Sequence, residues 1–516
     1  MNPVYERIDL NGIVLDLPPE EVPEDSWTDG INVHFKDTSV ERVGGYDNYA
    51  EPLPDFPNEK PRFLLPVVSG DIAYWMYCTD TEVYVTDGST HYHLTKAITL
   101  SAAPVGAWTG TSLNGVPVIN NQVDIPYWWD GDTANDIQPL PDWDSTWRCK
   151  AIRSFKYHLF ALHMTEGVND FPYKLRWSHA ADAGSIPSSW TPEPANQAGD
   201  TILSDQQGSI VDAALLRDNL VIYQRFNASL CRYVAGQYIF AFSKLFTASG
   251  VQATNCVAEY NGRHYVMTDS DVISHDGNVS QSVVTWKIKN ALIDSIDGDN
   301  VGLCQVSMRK ATDELWLCIP EQGNDTLTRA YVLNLITGHV GVRSLPNVHY
   351  VSRGLVTPDA SGAVWDDDDQ PWDDDVTTWN EGTSSNSSDS FMMADYDGAR
   401  LLTVDTSDTN DGENVAAYVE RIGLDLGDWT KNKLALAIYP RISGADGDII
   451  NIRVGGQRLF NDPVDWYPPQ EFEIGRDVYV PVNITFRYLA IRFEAATAHG
   501  WKLHQFTIKY TEEGIY

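Results

Sequence analysis

Six times between about residue 63 and residue 345 the chain repeats one phrase: an apolar strand, a small polar turn, a second strand, then a bent polar connection. The phrase is legible in Tyr74–Cys78 with Glu82–Val85, and in Val116–Ile119 with Tyr127–Trp129. It returns in His158–Leu162 with Lys174–Trp177, and in Leu220–Tyr223 with Leu230–Tyr233. The last copies are His264–Met267 with Val272–His275, and Glu314–Leu317 with Ala330–Leu333. A period of roughly 40 to 60 residues is that of a β-propeller blade or another β array. The fold class is therefore all-β, with a propeller of about six blades over residues 61–350.

The residues between the turns support strands. Val, Ile, Tyr, Trp and Phe occur in runs of four to six, cut by Asp-Gly, Asn-Gly and Ser-Gly. Helical spacing shows in one short stretch, Trp286 to Ile296, where Ile288, Leu292 and Ile296 recur every four residues.

Residues 1–60 read as an extended N-terminal arm. Prolines in Leu17–Pro23 favour open chain, while Ile31, Val33 and Phe35 alternate as in a strand that needs a sheet edge elsewhere. Trp27, Ile31, Val33, Phe35 and Tyr46 are its candidate assembly residues, closing the array's own ring or clasping a neighbouring subunit. Residues 351–390 form an acidic linker in which Trp365, Trp372 and Trp379 recur every seven residues. From residue 391 to 516 cleaner alternation returns, as in Ile450, Ile452 and Val454 or Phe506, Ile508 and Tyr510, which implies a β-sandwich buried on one face of each sheet. A phase change at Tyr488–Leu489 marks a bulge or bend.

The formal net charge is −36, from 72 acids against 36 bases. Such a surface repels nucleic-acid phosphates and anionic membranes at range, which disfavours nonspecific DNA binding. Six scattered cysteines without a CxxC pair fit buried reduced thiols. No run approaches 18 apolar residues, and the N-terminus lacks the features of a secretory signal, so neither membrane insertion nor secretion is expected.

The motifs of catalysis are missing. The chain has no HExxH, Gly-x-Ser-x-Gly, P-loop or Gly-x-Gly-x-x-Gly, and His91 and His93 lack a third ligand for zinc. The Asp cluster from Asp366 to Asp375 lacks the Gly and Glu of a calcium loop. No enzyme activity, cofactor or metal is expected. Abundant Trp and Asp leave a glycan-hydrolysing or glycan-binding propeller as the alternative.

The opening Asn11–Glu20, with Trp27–Phe35 and Arg42–Tyr46, resembles the start of tail proteins from short-tailed bacteriophages. The order of parts is similar to their tail nozzle, or tail hub, and Leu216–Tyr223, Ser249–Ala253 and Tyr265–Ile273 are laid out like its middle propeller blades. The resemblance implies a virion tail protein assembled in the host cytoplasm, in a ring of six copies below the head-to-tail adaptor. It further implies tail fibres or tailspikes attached outside, and genome DNA crossing the lumen without sequence-specific binding. Another head-to-tail completion protein would share the arm-like opening. In a conduit the densest acids, Asp366, Asp367, Asp368, Asp369, Asp373, Asp374 and Asp375, are candidates for a repelling channel wall.

Overall fold

The computed structural model describes residues 3–8, 10–36, 38–49, 60–70, 72–203, 208–234, 236, 238–247, 249–356 and 388–514. Among them the chain is nearly all antiparallel β, with one α-helix, Thr285–Ser295, that buries Ile288 and Leu292.

Six meanders follow one another. The first runs Phe63–Ser69, Ile72–Cys78, Val83–Thr86, His91–His93, and the second Thr109–Leu113, Val116–Asn120, Tyr127–Trp128, Gln138–Pro139. The third begins at Trp147–Phe155, the fourth at Ile210–Leu216, the fifth at Val257–Tyr260 and the sixth at Gln305–Arg309. The apolar pairs read from the sequence are the second and third strands of each. Turn chemistry sets their registers. Asn114-Gly115 and Asn261-Gly262 both take positive φ, the two-residue hairpin geometry that suits twisted strands.

A seventh antiparallel group has no counterpart in the sequence reading. The 17-residue strand Val340–Val356 completes the sixth meander with its first half, and its second half pairs Ser388–Asp395. That strand pairs Arg400–Val404, which pairs Tyr46–Asn48 from the arm. Residues 388–404 are thus bonded to the array's last strand and to the arm.

The remaining strands form two facing sheets. In the first, Val4–Ile8 and Ser39–Arg42 both lie on Lys502–Gly514, followed by Asn432–Ser443 and Val480–Phe486. In the second the order is Asp29–Ile31, Glu413–Leu424, Tyr488–Thr497, Ile449–Gln457 and Gln470–Glu473. Inward residues alternate with outward ones along Glu413–Leu424, as a half-buried strand requires. Ile438, Phe506 and Ile508 of one sheet share a buried cluster with Val419, Ile452 and Phe493 of the other. The phase change at Tyr488–Leu489 is a crossover between these sheets. Val480–Phe486 belongs to the first and Tyr488–Thr497 to the second, with the Arg487 amide donating to the Gln457 carbonyl at 3.0 Å.

Candidate functional site

A cavity of about 380 Å³ lies where the first strands of meanders two to six approach the second half of Val340–Val356. Each approach is fastened by a polar contact. Thr111 Oγ1 lies 2.8 Å from Ser154 Oγ. Arg153 meets Asp212 through Nε at 2.8 Å and Nη2 at 3.0 Å, and Nη2 also donates to Asn255 Oδ1 at 2.9 Å. Its Nη1 donates to the carbonyls of Gly110 and Ile152, both at 3.1 Å, so both Nη groups are fully engaged. Asp212 accepts in turn from the amides of Ala213 at 2.8 Å and Asn255 at 2.9 Å. Gln305 brackets Val351, accepting from its amide at 2.9 Å and donating to its carbonyl.

Burial would pull Arg153 down, but Asp212 outweighs it and holds the guanidinium above its ordinary range. Burial pushes the Tyr350 phenol at the cavity wall up to about 12. Asp212 accepts from the Arg153 guanidinium and two backbone amides, and both Nη groups of Arg153 are bound to neighbouring strands and loops. The chemistry of this cluster is adhesion between sheets.

A second buried polar cluster joins meanders four and five. Tyr223 Oη lies 2.7 Å from His264 Nδ1 and 2.6 Å from His275 Nε2, and His264 Nε2 lies 2.8 Å from the Leu215 carbonyl. That carbonyl fixes the tautomers. His264 must donate from Nε2 and accept from Tyr223 at Nδ1, so Tyr223 accepts from His275 Nε2 and the buried Nδ1 of His275 carries only a lone pair. Burial holds both rings below the ordinary histidine range, His275 at about 4.

The arm residues spread along the seam between the two regions. Trp27 is 2% exposed and fills the space between the facing sheets, its ring centroid 6.1 Å from Phe493 and 6.0 Å from Phe506. Val33 and Phe35 are buried; Val33 pairs Arg42 and lies against Val342. Ile31 is half-buried opposite Tyr418, and Tyr46 is half-buried opposite Val404. Trp27 therefore packs between sheets of its own chain, and the other four pair with strands of it. Asp366, Asp367, Asp368, Asp369, Asp373, Asp374 and Asp375, with Trp365, Trp372 and Trp379, lie outside the described residues.

Several residues of this seam escaped sequence reading. Asn32, in the left-handed region at φ 56°, donates to the Ala416 carbonyl at 2.8 Å and accepts from the Ser344 amide at 2.9 Å, so one side chain touches both regions. Arg421 donates to the carbonyls of Pro19 at 2.8 Å and Val22 at 2.7 Å. Asp405 joins Arg343, at 2.7 Å, to Arg309; burial alone would raise its carboxyl, but the two guanidinium groups hold it below the ordinary range. Gly45 is required by contact, since a Cβ there would overlap the Thr409 carbonyl. All six cysteines are buried and free.

No family model and no curated protein matches the chain. Among solved structures it is similar to the extracellular domain of a one-component system from B. thetaiotaomicron, at 8% identity over 90% of this chain and 63% of that one, with a TM-score of 0.41. It is also similar to PorZ, a bacterial surface component of the type-IX secretion system of Porphyromonas gingivalis, at 9% identity over 88% and 59%, with a TM-score of 0.35. The chain spans less than two thirds of either neighbour's length.

Proposed function

We propose that this chain is a structural, non-enzymatic virion protein: the tail nozzle, or hub, of a short-tailed bacteriophage, several copies of which surround the path of the genome DNA. The fold proposed with it is a closed β-propeller of seven blades rather than six, carrying a C-terminal β-sandwich. Its seventh blade is the group that ends on Tyr46–Asn48, so an arm strand closes the ring that begins at Phe63. The observation that carries the reading is the order of parts. An arm, a blade array and a terminal sheet pair follow one another as the phage resemblance implies, and the arm is woven into both of the others.

Acidity fits a wall past which DNA slides, because like charge opposes adhesion at range. Native mass spectrometry of the purified chain should give a closed ring of about six copies. A species that stays monomeric at every concentration would overturn the proposal. So would release of reducing ends from host-surface glycan, which would move the chain to the glycan-hydrolase alternative.

A further inference from the structure

One face of the molecule differs in charge and chemistry from the rest of this acidic chain: the outer side of the sheet built on Lys502–Gly514. Its register sets Tyr5 opposite Lys509, and sets both Arg7 and Tyr439 opposite Thr507, while Ile438 and Ile508 point into the core. Tyr5, Tyr439 and Tyr479 therefore form a surface row, with centroid separations of 6.2 and 5.5 Å, in which Tyr5 is 58% and Tyr479 51% exposed. The Lys509 ammonium lies 5.6 Å from the Tyr5 ring, and exposed Arg441 follows opposite Gln505.

Among the described residues, no outward position between the Arg441–Gln505 and Leu434–Thr511 pairs carries a carboxylate. At the rim, Glu41 and Asp477 are already paired with Lys502 and Arg476. Burial first, then Lys502 and Arg441, hold His504 below the ordinary histidine range, against Glu41. Exposed tyrosines beside arginine, ringed by paired polar groups, have the composition of the energetic centre of a protein interface.

A complementary surface exists on the same chain. Residues 97–147 hold six aspartates and no glutamate, lysine or arginine. Asp130, Asp132, Asp142 and Asp144 are exposed around Gln138–Pro139, the last strand of the second meander. We propose that the tyrosine–arginine face docks the acidic outer edge of the second meander of a neighbouring copy. The two patches differ, so the contact is head-to-tail and each copy keeps one patch of each kind free for the next, the arrangement that closes into rings. Opposite charge orients the approach, and the tyrosines supply the apolar contact. This rests on the ring reading above and names the surfaces that would make the ring.

Two variants of the full chain test it by sedimentation velocity and native mass spectrometry, with circular dichroism to verify folding. Arg441→Glu with Lys509→Glu makes the face acidic. Ala134→Lys with Gln138→Lys and Ser145→Lys makes the meander edge basic at exposed positions, without touching the aspartates that cap its turns. Each variant alone should lose self-association by at least about tenfold. Mixing the two should restore assembly as alternating copies, and so should combining all five changes in one chain. Folded variants that assemble like the parent would overturn this docking while leaving the ring intact. A parent chain that never assembles would overturn both. Binding of soluble lipopolysaccharide that is lost in the face variant, with self-association unchanged, would reassign the face to glycan.

Discussion

The meander array and the facing sheets solve one problem, holding strands together, by different means. In the array almost every strand pairs with the next strand in sequence, and neighbouring sheets are pinned by buried polar clasps such as Arg153–Asp212 and Gln305–Val351. In the facing sheets the pairings span the whole chain. Val4–Ile8 lies on Lys502–Gly514, Asp29–Ile31 lies on Glu413–Leu424, and the filling is apolar and aromatic. The array can form piecewise from local contacts, whereas the facing sheets must wait for both ends of the chain, since loop closure precedes the contacts that reward it.

The sharpest way to break this contrast is to remove Trp27, which belongs to the arm by sequence and to the facing sheets by packing. Trp27→Ala should cost about 3–5 kcal/mol, the range for deleting a large buried aromatic side chain. That loss should fall on the facing sheets and leave the array folded. Hydrogen exchange would read it as early opening of Val480–Thr497 with Ile152–Leu162 still protected. Uniform loss of protection would mean that the two regions unfold as one unit.

The matching experiment in the array leaves a charge without its partner. Asp212→Ala strands Arg153 among the first strands of three meanders and should cost about 3–5 kcal/mol, because the desolvated guanidinium loses its counterion. Adding Arg153→Met should recover most of that, a sign that the pair specifies geometry more than it stabilises. A double variant no better than Asp212→Ala would show that the clasp contributes through its backbone acceptors instead.

Why the array was legible and the rest was not follows from the same contrast. Each meander carries its strands, turns and register within about 50 residues, so periodicity and Asn-Gly turns suffice to find it. The seventh group was invisible because its first strand is the second half of Val340–Val356, and its last is three arm residues about 350 positions earlier. Alternation over residues 450–454 and 506–510 revealed half-buried strands, but period-2 patterning does not say which sheet a strand joins. The two alternating stretches of Pro481–Glu494 consequently read as joined by a bulge or bend rather than as strands of two different sheets. Asn32, Arg153 and Asp212 look like ordinary polar positions until the fold brings distant backbone to them.

Acid separates the regions by titration. His275 is pushed from the ordinary 6.5 to about 4, by burial first and by His264 second. The unfolded chain takes up this proton near pH 6.5 and the folded chain only near 4, so stability is full above 6.5, falls through that window and levels below it. Urea midpoints for the array should therefore drop between pH 7 and 4.5. His275→Gln keeps a donor for Tyr223 and removes the titration, so its midpoint should vary less with pH. Parallel pH curves for parent and variant would assign the loss to other groups.

The smallest expected effect lies at the edge of the facing sheets, where Glu41 meets His34 Nε2 at 3.2 Å and the Lys502 ammonium. These partners, His34 foremost, hold its carboxyl at about 2, against burial that would raise it. A depressed carboxylate works in the opposite sense to the depressed histidine. Its contribution is present above the unfolded value of 4.5 and is lost as pH falls from there toward 2. Because the pair is partly exposed and screened by salt, Glu41→Gln should cost no more than about 1 kcal/mol at pH 7. That cost should vanish near pH 2 and shrink in high salt, while the His275 effect, deep in the array, should respond little to salt. If Glu41→Gln showed the same cost at pH 7 and pH 2, Glu41 would contribute through contacts that do not depend on its charge, and acid would then loosen the array without touching this edge.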